Sequence, residues 1–191
     1  MTSLVLIPGQ GNLSIAPNAD APLLVVFGGI DVHKVHSGVY MWNYLSPVRL
    51  RFHIFVAQSN SVNGTLAYGA LLKAVTAQGL KPSKQILYLF SGGYRPGIDV
   101  LTTSGAGAFS SIYLVDIWMS GARPGNFYTA LADHNAAKIT YVYTIFGANN
   151  KVARDHIAKK VAPRATLVHS LAHEGGVDTH LRTNVIAVSS L

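Results

Sequence analysis

Short apolar runs rich in strand-forming residues alternate along this chain with segments of helical periodicity. Gln85–Phe90 is typical of the first kind, and Gly64–Gln78 of the second, with leucine and valine at helical spacing before a stop at Gly79. The strands predicted in this way are Ser3–Ile7, Ser14–Pro17, Pro22–Phe27, Arg51–Ala57, Gln85–Phe90, Ser111–Trp118, Ile139–Phe146 and Thr166–Leu171. The predicted helices are Ser37–Leu45, Gly64–Gln78, one beginning near Pro96, Gly125–Ala132, Val152–Val161 and Asp178–Ser189.

The strand runs are continuously apolar, which indicates parallel strands buried on both faces of a sheet. Right-handed crossovers between such strands place helices on both sides. We find no internal repeat, low-complexity segment or linker in the sequence. The prediction is therefore one α/β domain over residues 1–191, a three-layer sandwich with a mostly parallel central sheet. Functional groups are expected in the loops that follow the carboxyl ends of the strands.

The composition agrees with a sheet that is buried on both faces, and it excludes some classes of protein. Of the 191 residues, 49% are apolar and only 12% are charged, and the chain is long enough for a sizeable core. No apolar run approaches the roughly 20 residues that cross a membrane, and the first residues lack the features of a signal peptide. We therefore expect a cytoplasmic protein without membrane contact. The absence of cysteine excludes disulfides and cysteine-based metal or redox chemistry.

The net charge of +7 does not by itself indicate a nucleic-acid partner. The 15 lysines and arginines are spread thinly, with one concentration between Lys151 and Arg164. A nucleic-acid surface would combine a denser basic patch with exposed aromatic residues. A solvated helix face is the expected explanation, and an anionic substrate is compatible with it.

The strongest local signal lies where the run Gln85–Phe90 meets Ser91, Gly92 and Gly93. A serine on a tight strand-to-helix turn projects its hydroxyl out of the sheet, which is the geometry of a nucleophile elbow. Gly93 matches the second glycine of the G-x-S-x-G pattern, whereas Leu89 replaces the first. The alternative interpretation is a plain turn residue or a helix N-cap.

With its elements in this order, the chain from about Pro22 onwards resembles a small member of the α/β-hydrolase superfamily. The resemblance implies that Ser91 is the nucleophile and that an oxyanion hole is formed by the backbone N–H groups of Gly92 and Gly29. It also implies a histidine base in the loop between the last strand and the last helix, where His173 stands. His169 lies within the predicted strand and is expected to be packed or paired, and His180 is the alternative base.

The acid of the expected triad departs from the family pattern. Asn150 occupies the place after the next-to-last strand where similar enzymes carry aspartate. The acid is therefore predicted to be Asp116, at the end of an earlier strand, with Asp155 and Asp178 as weaker candidates. A Ser-His-Asn arrangement of reduced power and a loss of catalysis are the other two explanations.

The segment after Gly28 and Gly29 carries further polar side chains. Asp31, His33 and His36 are of types that suit zinc, but spacing marks no further ligand elsewhere. We therefore predict no metal and assign this segment to the substrate. The predicted substrate contacts are Gly28, Ile30, Asp31, His33 and Tyr94.

Two other sequence patterns bear on a binding function. The glycines at 105 and 107 precede a strand rather than follow one, so they do not form a dinucleotide fingerprint. Tyr40, Trp42 and Tyr44 could line an apolar pocket, or they could pack in the core.

The function predicted from the sequence is a serine hydrolase that needs no cofactor and cleaves a small-molecule carboxylic ester or thioester. Two alternatives stay open at this point. One is a non-catalytic binding or interaction protein on the same fold, since a fold does not dictate an activity. The other is an acyltransferase or cyclase that uses the same nucleophile.

Overall fold

The computed structural model describes residues 3–29, 37–117, 124–135, 137–143, 155, 157, 165–169 and 177–191. The strands are β1 Ser3–Ile7, β2 Gly11–Ile15, β3 Leu23–Phe27, β4 His53–Ala57, β5 Gln85–Phe90, β6 Ser111–Val115, β7 Lys138–Tyr143 and β8 Ala165–His169. The helices are α1 Ser37–Leu45, α2 Gly64–Ala77, α3 Tyr94–Thr103, α4 Pro124–Asp133 and α5 Val177–Ser189. Asp155 and Ile157, the described residues of the predicted helix Val152–Val161, are also helical.

All eight strands belong to one sheet with the order β1-β2-β4-β3-β5-β6-β7-β8. The six strands β4, β3, β5, β6, β7 and β8 run parallel to one another, whereas β2 pairs antiparallel with both β1 and β4. The predicted mostly parallel sheet is thus confirmed, with β5 near its centre. Phe27 pairs with Leu89, and Phe90 pairs with Val115, so β3, β5 and β6 end at the same edge of the sheet.

Two apolar layers cover the two faces of the sheet, as a three-layer sandwich requires. On one face, Leu87 and Leu89 pack with buried residues of α2, α3 and α4. On the other, Tyr88 and Phe90 pack with buried residues of α1 and α5. The alternation of side chains along β5 therefore gives each face of the central strand its own layer of helices.

Most observed boundaries lie within two residues of the predicted ones, and three differences have a structural explanation. The second strand is Gly11–Ile15 rather than Ser14–Pro17, because residues 11–14 pair with β4, which lies so close that a Cβ at Gly11 would be 2.2 Å from the Val56 carbonyl oxygen. β6 ends at Val115 rather than Trp118, where the backbone of Asp116 turns to a positive φ. α3 begins at Tyr94, ahead of Pro96.

Among the described residues, no helix has both the length and the apolar character that crossing a membrane requires.

Candidate active site

The turn at Ser91, at the carboxyl edge of the sheet, has an unusual backbone conformation. Phe90 is still extended, with φ −112° and ψ 129°, and Gly93 is already helical, with φ −62° and ψ −12°. Ser91 lies between them with φ +48°, a conformation that residues other than glycine rarely adopt. Such a conformation costs about 1–3 kcal/mol and persists only where the surrounding structure fixes it. The chain thus changes from strand to helix around one strained serine.

Gly93 shows what fixes this turn. A Cβ at Gly93 would lie 2.0 Å from the carbonyl oxygen of Phe27 and 2.7 Å from its carbonyl carbon. Phe27 ends β3, which is hydrogen-bonded to strands on both sides, so this carbonyl has little freedom to move. The second glycine of the sequence pattern is therefore required by the close approach of the 3-10 turn Ser91–Gly93 to the neighbouring strand.

The loop after β3 lies directly against the serine. A Cβ built on Gly29 would be 2.5 Å from Ser91 Cβ, 2.9 Å from Ser91 Oγ and 3.2 Å from the backbone nitrogen of Gly92. The structure thus brings together three residues that the sequence proposed for one site. A glycine is therefore required here, because any side chain would collide with Ser91.

Replacing Gly29 with alanine should push Ser91 and the backbone after β3 apart, because the new methyl group would lie 2.5 Å from Ser91 Cβ. We expect Gly29→Ala to lower the rate of ester hydrolysis at least about 100-fold, the loss typical when the donors of an oxyanion hole are disturbed. The sheet should survive, because Gly29 lies two residues beyond the end of β3 and has no positive φ. Steady-state kinetics and the thermal melting curve of the variant test this. Wild-type turnover in a folded Gly29→Ala protein would contradict the placement of Gly29 beside the reacting atoms.

Asp116 stands at the same edge, one strand away. It directly follows Val115, which pairs with Phe90, so Asp116 and Ser91 occupy equivalent positions after neighbouring strands. Its side chain is 2% exposed, and its backbone N–H donates a hydrogen bond of 2.8 Å to the carbonyl of Val142. Like Ser91 it has a positive φ, +45°, and these two are the non-glycine residues with that conformation in the described part of the chain. The structure thus places the predicted acid beside the predicted nucleophile's strand.

Several predicted site residues lie outside the described residues. These are Ile30, Asp31, His33, His36, Asn150 and His173. Of the alternative candidates, His169 is the last residue of β8, Asp178 and His180 lie in α5, and Asp155 is exposed on a helix. Within the described ranges, no group of three histidine or acidic side chains is arranged to hold a metal ion. The roles of all these residues stay predictions.

Two described histidines hold the framework together away from the serine. His53 is fully buried at the start of β4, where Nδ1 accepts a hydrogen bond from the Ala16 N–H and Nε2 donates one to the Ala19 carbonyl, both 3.1 Å. His134 is buried after α4, and its Nε2 donates to the carbonyl of Leu101 at 2.7 Å. Both therefore serve the packing, which leaves the base to be sought among the other histidines.

Of the aromatic residues proposed for the pocket, Tyr94 is buried, Trp42 and Tyr44 are half-buried against the core, and the side chain of Tyr40 lies outside what the structure describes. Tyr94 is 2% exposed and packs edge to face against Phe127, with ring centroids 6.1 Å apart, so its predicted contact with substrate stays a prediction. Trp42 is half-buried and lines a groove of about 450 Å³ between α1 and the β1–β2 hairpin. That groove reaches Ser14, which pairs with Ile54 near the amino end of β4, so it lies away from the edge that carries Ser91.

A buried hydrogen bond that the sequence did not reveal ties α5 to the central strand. The Tyr88 hydroxyl donates to Asn184 Oδ1 at 2.6 Å, and both side chains are fully buried. Burial raises the pKa of Tyr88 well above its usual value, and the nearby Tyr113 and Tyr44 raise it further. Tyr88 therefore stays protonated and acts as a structural link. α5 is the first described element after His173 in the sequence.

No protein-family model matches this sequence, and no curated protein sequence matches it. Solved structures match it along its whole length. The thioesterase domain from the curacin biosynthetic pathway gives a TM-score of 0.67 at 10% identity, covering 100% of this chain and 98% of that one. The esterase domain of a Rhodothermus marinus protein gives 0.66 at 8% identity, covering 100% and 97%. An esterase from a Rhodococcus species gives 0.60 at 14% identity, covering 100% and 98%.

Identities this low carry information about the fold alone. The sheet order, the position of the strand-to-helix turn after β5 and the whole-length match agree with one another. The chain therefore has the α/β-hydrolase fold.

Proposed function

We propose that this chain is a serine hydrolase that cleaves a carboxylic ester or thioester, with Ser91 as its nucleophile. The observation that carries the proposal is the strained backbone of Ser91, whose hydroxyl lies against Gly29 and the Gly92 nitrogen. Strained residues cluster at active sites, where the geometry serves the reaction. The N-cap of α3 is Gly93, so a capping role does not account for Ser91.

In the proposed reaction, Ser91 Oγ attacks the acyl carbon while His173 takes the hydroxyl proton. The backbone N–H groups of Gly92 and Gly29 stabilise the negative oxygen of the tetrahedral intermediate. The bond to the leaving group then breaks, and the imidazolium returns its proton to the departing alcohol or thiol. Water then attacks the acyl carbon while the same imidazole takes its proton, the bond to Ser91 Oγ breaks, and the imidazolium returns the proton to Oγ as the acid leaves. Asp116 orients the imidazole and stabilises its charged form.

The similar structures are described as an esterase, an esterase domain and a thioesterase domain, which supports an acyl substrate without choosing between oxygen and sulfur leaving groups. We propose a cytoplasmic enzyme that acts on a small molecule without metal or cofactor. A non-catalytic binding protein would not require strain at a serine, so the backbone of Ser91 favours an enzyme over that alternative.

The experiment that tests the proposal is a reaction of the purified protein with a fluorophosphonate, followed by the mass of the intact chain. One adduct per chain is expected, together with hydrolysis of activated oxygen esters or acyl thioesters of short and medium chain length. Adding alcohols or amines separates a hydrolase from an acyltransferase, because only the latter would divert most of the product. A protein that neither labels nor hydrolyses any of these esters would instead be a binding protein.

The activity should depend on pH through one ionisation. The base must be neutral to accept the serine proton, so the rate should be low in acid and rise through the ordinary titration range of histidine, around pH 6.5. A series of rate measurements between pH 5 and 8 tests this, and a flat profile would argue against a histidine base. His173→Ala should remove the activity, whereas His180→Ala should keep it. Loss of activity on chelation, restored by zinc, would instead favour Asp31, His33 and His36.

A further inference from the structure

Leu89 stands two residues before Ser91, where the nucleophile pattern usually has a glycine. Its side chain is fully buried on the face of the sheet that α3 covers. The usual glycine has no side chain, so it lets the following helix lie close to the strand, whereas Leu89 needs space for its side chain. In this chain the room comes from the helix. A Cβ at Gly97 of α3 would lie 2.6 Å and 2.8 Å from the two δ-carbons of Leu89.

Gly97 lies four residues after Gly93, so both are on the same face of α3. Gly93 contacts the backbone at the end of β3, and Gly97 contacts Leu89 of β5. The helix therefore approaches both central strands closely, with Leu89 filling the space that Gly97 leaves. Because α3 begins three residues after Ser91, the depth of this contact affects where the serine is held relative to Gly29.

We infer that Leu89 and Gly97 are a positioning pair, which sets the depth of α3 on β5 and thereby holds Ser91 in its reactive place. This inference rests on the proposed function of Ser91. In the usual pattern the glycine stands on the strand, two residues before the serine. In this chain the strand carries Leu89 and the glycine, Gly97, stands on the helix. The two positions are therefore coupled, and a change at one is tolerated only with a matching change at the other.

The test is a double-mutant cycle of Gly97→Ala and Leu89→Ala, read by the rate of fluorophosphonate labelling and by kcat and KM for an activated ester. In the wild-type background, Gly97→Ala forces a methyl group against a side chain that cannot swing away inside the packed core. We expect labelling to slow about 10- to 100-fold, because a misplacement near 1 Å has effects of that size. The loss should fall on kcat and leave KM nearly unchanged.

In the Leu89→Ala background, Gly97→Ala should have the opposite effect and raise the rate of labelling. Removing the δ-carbons opens the space that the new methyl group then partly fills, so the double variant should label faster than Leu89→Ala alone. Alanine also favours a helix more than glycine does. Gly69→Ala in α2 controls for that effect, because nothing lies within 4 Å of a Cβ built there. This control should keep the wild-type labelling rate.

A folded Gly97→Ala protein that labels at the wild-type rate would overturn the inference, and so would a loss that Leu89→Ala does not reverse. If the wild type neither labels nor hydrolyses esters, the proposed function is refuted, but the packing of Leu89 against Gly97 is still testable. The equilibrium constants for unfolding then decide whether the pair exists. Coupling of about tenfold or more between the two substitutions would support it, and independent effects would refute it.

Discussion

Replacing Ser91 with alanine should abolish both fluorophosphonate labelling and ester hydrolysis. Ser91 Oγ lies beside Gly29 and the Gly92 backbone nitrogen, where an attacked carbonyl could place its oxygen. Without that oxygen no acyl-enzyme can form, and loss of the nucleophile costs about six orders of magnitude in enzymes of this kind. Intact mass, peptide mapping of the wild-type adduct and steady-state rates measure the effect.

Ser59 offers a matched control for this variant. It follows β4 at the same edge of the sheet and is half-buried like Ser91, but its backbone has no positive φ and its hydroxyl lies 2.8 Å from that of Ser61. Ser59→Ala should therefore label and hydrolyse as the wild type does. Ester hydrolysis that survives at the wild-type rate in Ser91→Ala would rule out the mechanism.

The Asp116→Asn variant should lose about four orders of magnitude in turnover. An amide keeps the size of the buried side chain but cannot stabilise an imidazolium by charge, and disturbing the orienting acid has effects of that size in serine hydrolases. Labelling should slow in parallel, because activation of Ser91 depends on the same histidine. Steady-state rates and labelling kinetics, with a melting curve to show that the variant is folded, provide the measurement.

Asp99→Asn removes a carboxylate elsewhere in the same half of the molecule. Asp99 Oδ2 accepts a hydrogen bond of 3.1 Å from the Gly64 N–H at the start of α2, and an asparagine oxygen can accept the same bond. This variant should keep its activity. If Asp116→Asn also retains turnover while Asn150→Ala loses it, the orienting role belongs to Asn150.

Periodicity was sufficient to predict the layers of this fold. Continuous apolar runs such as Leu23–Phe27 and Gln85–Phe90 are buried in the middle of the sheet, where both faces need apolar side chains. It failed at β2, because Gly11 and its polar neighbours are typical of a turn. Pairing with Ala57 makes them a strand, and that long-range contact leaves no local signal.

Only part of the candidate site could be predicted from the sequence, again because some of its contacts are long-range. Ser91, Gly93 and Asp116 could be found because each directly follows an apolar run or occupies a position in a known pattern. The contact of Leu89 with Gly97 could not, because it depends on how closely a helix lies on a strand. The four-residue spacing of Gly93 and Gly97 is a sequence signal for a close approach of the helix. It can be interpreted only once both glycines are known to lie in the turn and helix after β5.

The left-handed backbone at Ser91 and Asp116 also bears on the history that a sequence of this kind can have. Glycine adopts that conformation without strain, so exchanging either residue for glycine would relieve the backbone at once. A protein that only binds has no need of a hydroxyl and a carboxylate at these two positions. Glycine at both should therefore be tolerated by a binding protein on this fold, whereas a hydrolase of the proposed mechanism would gain stability and lose its activity.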